Sequence, residues 1–184
     1  NGTSDNCAVD SLWLSQTTFS CADTNFANPV TFYARDVSGN TDSFVIIIIV
    51  VDSLPPVLVT RDDTVYLDSN GQVSIDTTNI NNGTADNCLL DTMWLSIDSF
   101  TCADTLDNLV WLYARDRSGN IDSATATVRV LDTLPPVPVV SSITVYLDST
   151  GAATIAADTL DAGSFDNCAV DSIYLDQYNF GCAD

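Results

Sequence analysis

Oxygen and sulfur are the donor atoms this chain offers for chemistry. Among its 184 residues there are 25 acids, all Asp, and five bases, all Arg; six Cys complete the reactive set, and Lys, Glu and His do not occur. Without His there is no Ser-His-Asp or Cys-His nucleophile and no histidine metal site. Without Lys there is no Schiff base or P-loop lysine. Paired acids such as Asp62 and Asp63 are neighbours that point to opposite faces of a strand, so they make no acid-base pair and no enzymatic activity is expected. A formal net charge of −20 repels nucleic acid and anionic lipid, which leaves cations as the expected partners.

Calcium is the cation that this donor set suits. Asp36-Val37-Ser38-Gly39-Asn40 and Asp116-Arg117-Ser118-Gly119-Asn120 set oxygen ligands at alternate positions, as the opening of a calcium loop does. The competing reading is a hairpin turn with Gly left-handed and Asp accepting from nearby backbone N–H groups. Asp52 and Asp132 lie just before Pro-Pro pairs, and Asp5, Asp86 and Asp166 lie in a recurring Gly-x-x-Asp-Asn-Cys loop. If the fold brings the end of one unit against loops of the next, these carboxylates crowd at the junction, where a hard divalent cation would neutralise them.

The elements that must position these groups repeat. Asp-Asn-Cys ends at Cys7, Cys88 and Cys168, Cys-Ala-Asp begins at Cys21, Cys102 and Cys182, and Leu-Pro-Pro-Val begins at Leu54 and Leu134. The period is about 80 residues, as from Asp86 to Asp166, and one position longer across the first copy, as from Cys7 to Cys88. Taking the Pro-Pro pairs as seams, residues 55–134 make one whole module, 1–54 the end of one and 135–184 the start of another, a window onto a longer tandem array. In each copy two cysteines stand fourteen apart (Cys7 and Cys21, Cys88 and Cys102, Cys168 and Cys182), which reads as one local disulfide per module in an oxidising compartment. Reduced core thiols are the alternative, and zinc is disfavoured because two Cys per unit cannot complete a tetrahedral site.

No helical period of useful length appears, whereas β-rich runs alternate with turn signals, so the chain is all-β. In the whole module, strands are expected near 57–60, 64–67, 72–75, 90–97, 108–115 and 122–131, arranged as an immunoglobulin-like antiparallel sandwich. The last of these alternates apolar and polar residues. Its first-copy counterpart does not, because Val45, Ile47 and Ile49 are apolar on the outward face as well. That face is either covered by a neighbouring chain or module, the preferred reading, or buried deeper in its own sandwich. The apolar run 44–51 is far shorter than the roughly 20 residues needed to span a bilayer as a helix, so no membrane insertion is expected in this segment.

Asp is followed by Ser or Thr at 15 of its 25 positions, although Ser and Thr together number 39 of 184 residues. Chance would give about five, given the abundance of these common turn residues. At Ser11, Ser53, Thr64, Thr77, Thr92, Thr105, Ser123, Thr133, Ser149, Thr159 and Ser172 the next residue is Ala, Ile, Leu, Val, Met or Thr. This triplet resembles the O-glycosylation signal that Bacteroidota use on exported proteins, and covalent glycans are expected on some of the sites; ordinary Asp-Ser and Asp-Thr turn pairs are the alternative. Asn1 and Asn82 open Asn-Gly-Thr, a generic N-glycosylation acceptor.

Taken together, Asp-Asn-Cys, the Leu-Ser-Gln-Thr-x-Phe-x-Cys-Ala-Asp run at 14–23, the Asp-x-Ser-Gly-Asn turn and the Val-Asp-x-Leu-Pro-Pro-Val seam resemble hyalin-repeat-like modules. These are immunoglobulin-fold units found in tandem on Bacteroidota surface proteins, including gliding-type adhesins. The likeness covers essentially the whole chain. It departs from the family in lacking cysteines at Val57-Leu58-Val59 and Thr41-Asp42-Ser43. The resemblance implies secretion to the cell surface and a structural fibre or stalk, with a carbohydrate-binding adhesin as the alternative. The partners it implies are neighbouring repeats or copies and surface glycans. Bound calcium and covalent glycans are the expected non-protein components, with no organic cofactor.

Overall fold

The computed structural model describes residues 4–6 and 8–183. Val-, Ile- and Tyr-rich stretches form strands, as their stiff side chains favour. β1 (Val9–Leu14), β2 (Ala27–Asp36) and β3 (Thr41–Ile49) make a three-stranded antiparallel sheet in that order. β4 (Asp63–Tyr66), β5 (Gln72–Ser74), the one-turn helix α1 (Thr77–Ile80), β6 (Leu90–Leu95), β7 (Ser99–Thr101), β8 (Leu106–Asp116) and β9 (Ile121–Leu131) follow. Of these, four form a sheet in the order β4-β9-β8-β6, with β4 parallel to β9 and Asp63 opposite Val128. β5 pairs antiparallel with β7, and the same pairing recurs one period later between β10 (Ala152–Thr154) and β11 (Asn179–Gly181).

The regular structure of the chain is thus mostly strand, as expected, and the strands near 64–67, 72–75, 90–97, 108–115 and 122–131 are present with ends displaced by a few residues. The segment 57–60 is not a strand. It makes only isolated bridges, Val57 to Ala85 and Thr60 to Asn81, because Pro55 and Pro56 supply no donors and successive residues meet different loops. Two elements were not expected, β7 and α1, both too short to show a period. Capping explains α1: the Asp76 side chain accepts from Thr78 N at 2.7 Å, and Asn79 Oδ1 accepts from Asp76 N at 2.9 Å.

Two compact units can be distinguished, one holding the segments up to Val59, Gly83–Trp94 and Tyr113–Ala124, the other Thr60–Asn82, Leu95–Leu112 and the chain from Thr125 on. Each interleaves residues from both sides of a Pro-Pro pair. In the second unit the buried side chains are apolar, among them Leu67, Ile80, Phe100, Leu112, Val128 and Val130. In β9 the alternation is realised, with Ala126, Val128 and Val130 buried and Thr125 and Arg129 exposed. The first unit buries Val30, Pro56 and Ala114 together with two carboxylates, Asp52 at 8 % and Asp116 at 1 % exposure. Acids this deep in a unit with so little apolar core need compensation.

Leu106, at the start of β8, has φ of +94°, whereas Asn25 near the matching place in the first copy has +63°. A left-handed backbone is unfavourable for Leu, whose exposed side chain gains little contact in return. Leu106→Gly is expected to stabilise the chain by about 1 kcal/mol, read as a raised urea midpoint; an unchanged or lower midpoint would count against strain at this position.

Candidate functional site

Cysteine placement is set by a cap. Ser20 and Thr101 each precede Cys-Ala-Asp; their side chains accept from Ala22 N and Ala103 N, while Asp23 and Asp104 accept from Ser20 N at 2.7 Å and Thr101 N at 2.8 Å. This capping box winds Cys21–Asp23 and Cys102–Asp104 into single 3-10 turns and places each cysteine at the first turn residue. The bonds formed are Cys21–Cys88 and Cys102–Cys168, with Cα–Cα distances of 5.2 and 5.4 Å.

These bonds correct the local pairing expected from the fourteen-residue spacing. Cys88 and Cys102 belong to different bridges, Cys168 pairs upstream rather than with Cys182, and Cys182 is a free, exposed thiol. Cys7 lies outside the described residues. The reason is geometric. Beyond Cys88 the six residues of β6 carry the chain roughly 20 Å away, while β7 runs only three residues, in a different sheet, before Cys102, so the two cysteines of one copy do not meet again. Each bridge instead joins the Cys-Ala-Asp cysteine of one copy to the Asp-Asn-Cys cysteine of the next, across a Pro-Pro pair. Gly71 makes room for the second bridge: a Cβ there would stand 2.6 Å from Cys102 Sγ and 2.6 Å from Asn167 O.

Beside the first bridge the acids converge. One carboxylate oxygen from each of Asp52, Asp86 and Asp116 lies within 4.8 Å of one from the others. Asp52 Oδ1 accepts from Asn87 Nδ2 and from Leu54 N, both at 3.2 Å. Asp86 Oδ2 accepts from Cys88 N at 2.8 Å and Leu89 N at 3.0 Å. In both residues the other oxygen, Asp52 Oδ2 and Asp86 Oδ1, is buried without a hydrogen-bond donor. Asp116 is clasped by Asn120, whose backbone N–H meets Oδ1 at 2.8 Å and whose amide meets Oδ2 at 2.7 Å; the same amide reaches Asp52 O at 3.1 Å.

Burial pushes the Asp116 carboxyl up, but the Asn120 amide and the backbone N–H groups of Asn120, Gly119 and Ser118 outweigh it and hold the group below the usual carboxylate range. Among the described residues the ion pairs are Arg115 with Asp91 and Arg129 with Asp107, so the cluster has no arginine partner there. Ionised carboxylates 4.8 Å apart repel by on the order of 3 kcal/mol per pair at an effective dielectric near 20. An all-oxygen donor set of this charge suits a hard divalent cation.

Of the nine residues named as calcium ligands, the fold therefore brings Asp52, Asp86 and Asp116 together, with Asn120 as the clasp of Asp116. Asp36 and Asn40 form the same clasp in the first copy, where chiefly the Asn40 amide lowers the Asp36 carboxyl; Asp5 is exposed and lines one open cavity with them. Both Asp-x-Ser-Gly-Asn segments are also the hairpin turns of the alternative reading, with Gly39 at φ +91° and Gly119 at +93°. Asp132 and Asp166 repeat the Asp52–Asp86 arrangement: Asp132 Oδ1 accepts from Asn167 Nδ2 at 3.1 Å, Asp166 Oδ2 accepts from Cys168 N at 3.0 Å, and Asp166 Oδ1 is again buried without a donor. Asn87 and Asn167, which tie the seam Asp to the Asp-Asn-Cys loop, were not foreseen as site residues; their signal was the Asn between Asp and Cys in all three copies.

Ser11, Ser53, Thr64, Thr92, Thr105, Thr133, Ser149, Thr159 and Ser172 are exposed, while Thr77 and Ser123 are half-buried. Asn82 is exposed, and Asn1 lies outside the described residues. Val45, Ile47 and Ile49 are exposed on β3 at 55, 56 and 62 %, an apolar row open to solvent in this chain. No protein-family model and no curated protein sequence matches the chain. Fold and bridges together define an all-β, disulfide-bonded chain, and among the described residues no helix is long and apolar enough to cross a membrane.

Proposed function

We propose that this chain is part of an extracellular load-bearing fibre or stalk, built from tandem immunoglobulin-like modules of about 80 residues. The hyalin-repeat-like resemblance and the oxidised cysteines support this setting. The observation that carries it is the direction of the bridges. A disulfide between the two cysteines of one copy would leave the long stretches from copy to copy in the load path. Bonds from each copy to the next, at separations of 67 and 66 residues, make a continuous covalent path along the array. Under the same rule Cys182 takes the Asp-Asn-Cys cysteine of a following repeat. Exposed Asp-Ser and Asp-Thr sites carry glycans on the outer surface of such a stalk, and its work is structural rather than catalytic.

Negative-stain electron microscopy of the native protein tests the proposal: thin filaments of uniform width are expected, and compact globular particles would overturn it.

A second reading, a carbohydrate-binding adhesin, draws on one recurring feature. Trp13 stacks on Tyr33 at 5.1 Å and Trp94 on Tyr113 at 5.4 Å, with both Trp residues at least 40 % exposed, offering flat apolar faces to a sugar ring. Retention on a glycan array that is lost in Trp94→Ala would favour it.

A further inference from the structure

We propose that Asp52, Asp86 and Asp116 bind one calcium ion, which ties the Asp three residues before a Pro-Pro pair to the Asp-Asn-Cys loop and the hairpin turn of the copy that follows. The inference stands on the carboxylate geometry and does not depend on the fibre reading. Three features separate this cluster from an ordinary acidic surface. Asp52 is more than nine-tenths buried, and its Oδ2 has no donor although Oδ1 has two, so one oxygen orients the side chain and the other is left for a cation. Asp86 shows the same division, with Oδ2 held by two backbone N–H groups and Oδ1 buried and undonated. The half-site at Asp132 and Asp166 repeats the donors to the first Asp and the buried, undonated Oδ1 of the second one period on, in a different compact unit, so the arrangement belongs to the repeat.

Calcium fits better than its rivals. Zinc prefers nitrogen and sulfur ligands, and the nearest cysteines are committed to bridges. Magnesium demands near-ideal octahedral geometry and dehydrates reluctantly, whereas calcium accepts irregular carboxylate sets completed by water.

The test uses chelator-stripped, disulfide-intact chain titrated with calcium chloride in an isothermal calorimeter and in thermal melts. One tight site and a raised melting temperature are expected. Asp52→Asn should weaken that site more than tenfold, while Asp98→Asn, an exposed acid outside the cluster, should not. Equal loss in both variants, or no saturable binding at millimolar calcium, would overturn the proposal. Should Asp52→Asn fail to fold, crystals of the unaltered chain soaked in a gadolinium salt decide: an anomalous peak between the three carboxylates supports the site, and peaks only elsewhere refute it.

Discussion

Pulled in an atomic force microscope, the oxidised chain will span no more than about 60 Å between Cys21 and Cys168, whereas the same molecule in reductant will reach about 500 Å. Both figures follow from an extended reach of about 3.3–3.6 Å per residue. Reduced, the whole chain from Cys21 to Cys168 bears the load. Oxidised, force crosses from Cys21 to Cys88, runs along the short segment to Cys102, and crosses again to Cys168. The two bridges add only 5.2 and 5.4 Å between Cα atoms. Everything in the two closed loops can unfold without lengthening the path. Pairing within each copy would leave both long loops in the load path and give about 450 Å even when oxidised, so the experiment separates the two connectivities by a wide margin. An oxidised length near that value would remove the basis of the load-bearing proposal. The same bridges close loops of 67 and 66 residues, and the chain-entropy account assigns each about 4 kcal/mol against about 3 for a fifteen-residue loop.

The even spacing of the cysteines misleads for a reason inherent in repeats. In a tandem repeat every pair of positions recurs at a fixed interval, so a constant separation of fourteen between Cys7 and Cys21, or Cys88 and Cys102, says nothing about which cysteines meet. The separations of 67 and 66 are as regular and equally visible. What decides is the path of β6 and β7 through different sheets, and β7 is a three-residue strand that no periodicity can announce. The carboxylates were easier to read, since Asp52, Asp86 and Asp116 are tied to seam, loop and turn motifs whose local geometry follows from Pro, Asn and Gly. Their convergence was conditional on the packing of one copy's end against the next copy's loops. The amide of Asn87, which ties Asp52 to the loop, had no signal beyond recurrence, whereas Asn120 was already marked by its place in the Asp-x-Ser-Gly-Asn turn. In β9 the alternation predicted the buried face correctly, because one face meets an apolar core; in β3 both faces are apolar, and the outward row of Val45, Ile47 and Ile49 was legible only through alignment with its second-copy counterpart.

The unforeseen strand also carries the largest single-residue effect expected on stability. Phe100, at the centre of β7 and opposite Val73 of β5, is 1 % exposed and among the largest fully buried side chains. Its counterparts sit differently: Phe19 is half-buried and in no strand, and Phe180 in β11 is half-buried opposite Ala153. Truncating a fully enclosed Phe costs the transfer of the ring and the cavity it leaves, about 3–5 kcal/mol. Phe100→Ala is therefore expected to lower the melting transition of its unit by more than about 10 °C, at several degrees per kcal/mol. Phe19→Ala, which empties no enclosed site, should cost about 1 kcal/mol or less. Calorimetry of the two variants checks the difference. Equal losses would mean that the β5–β7 pair is not what encloses the aromatic ring. A large loss at Phe100 with little at Phe19 would show that a repeated Phe contributes core stability only where the surrounding structure encloses it.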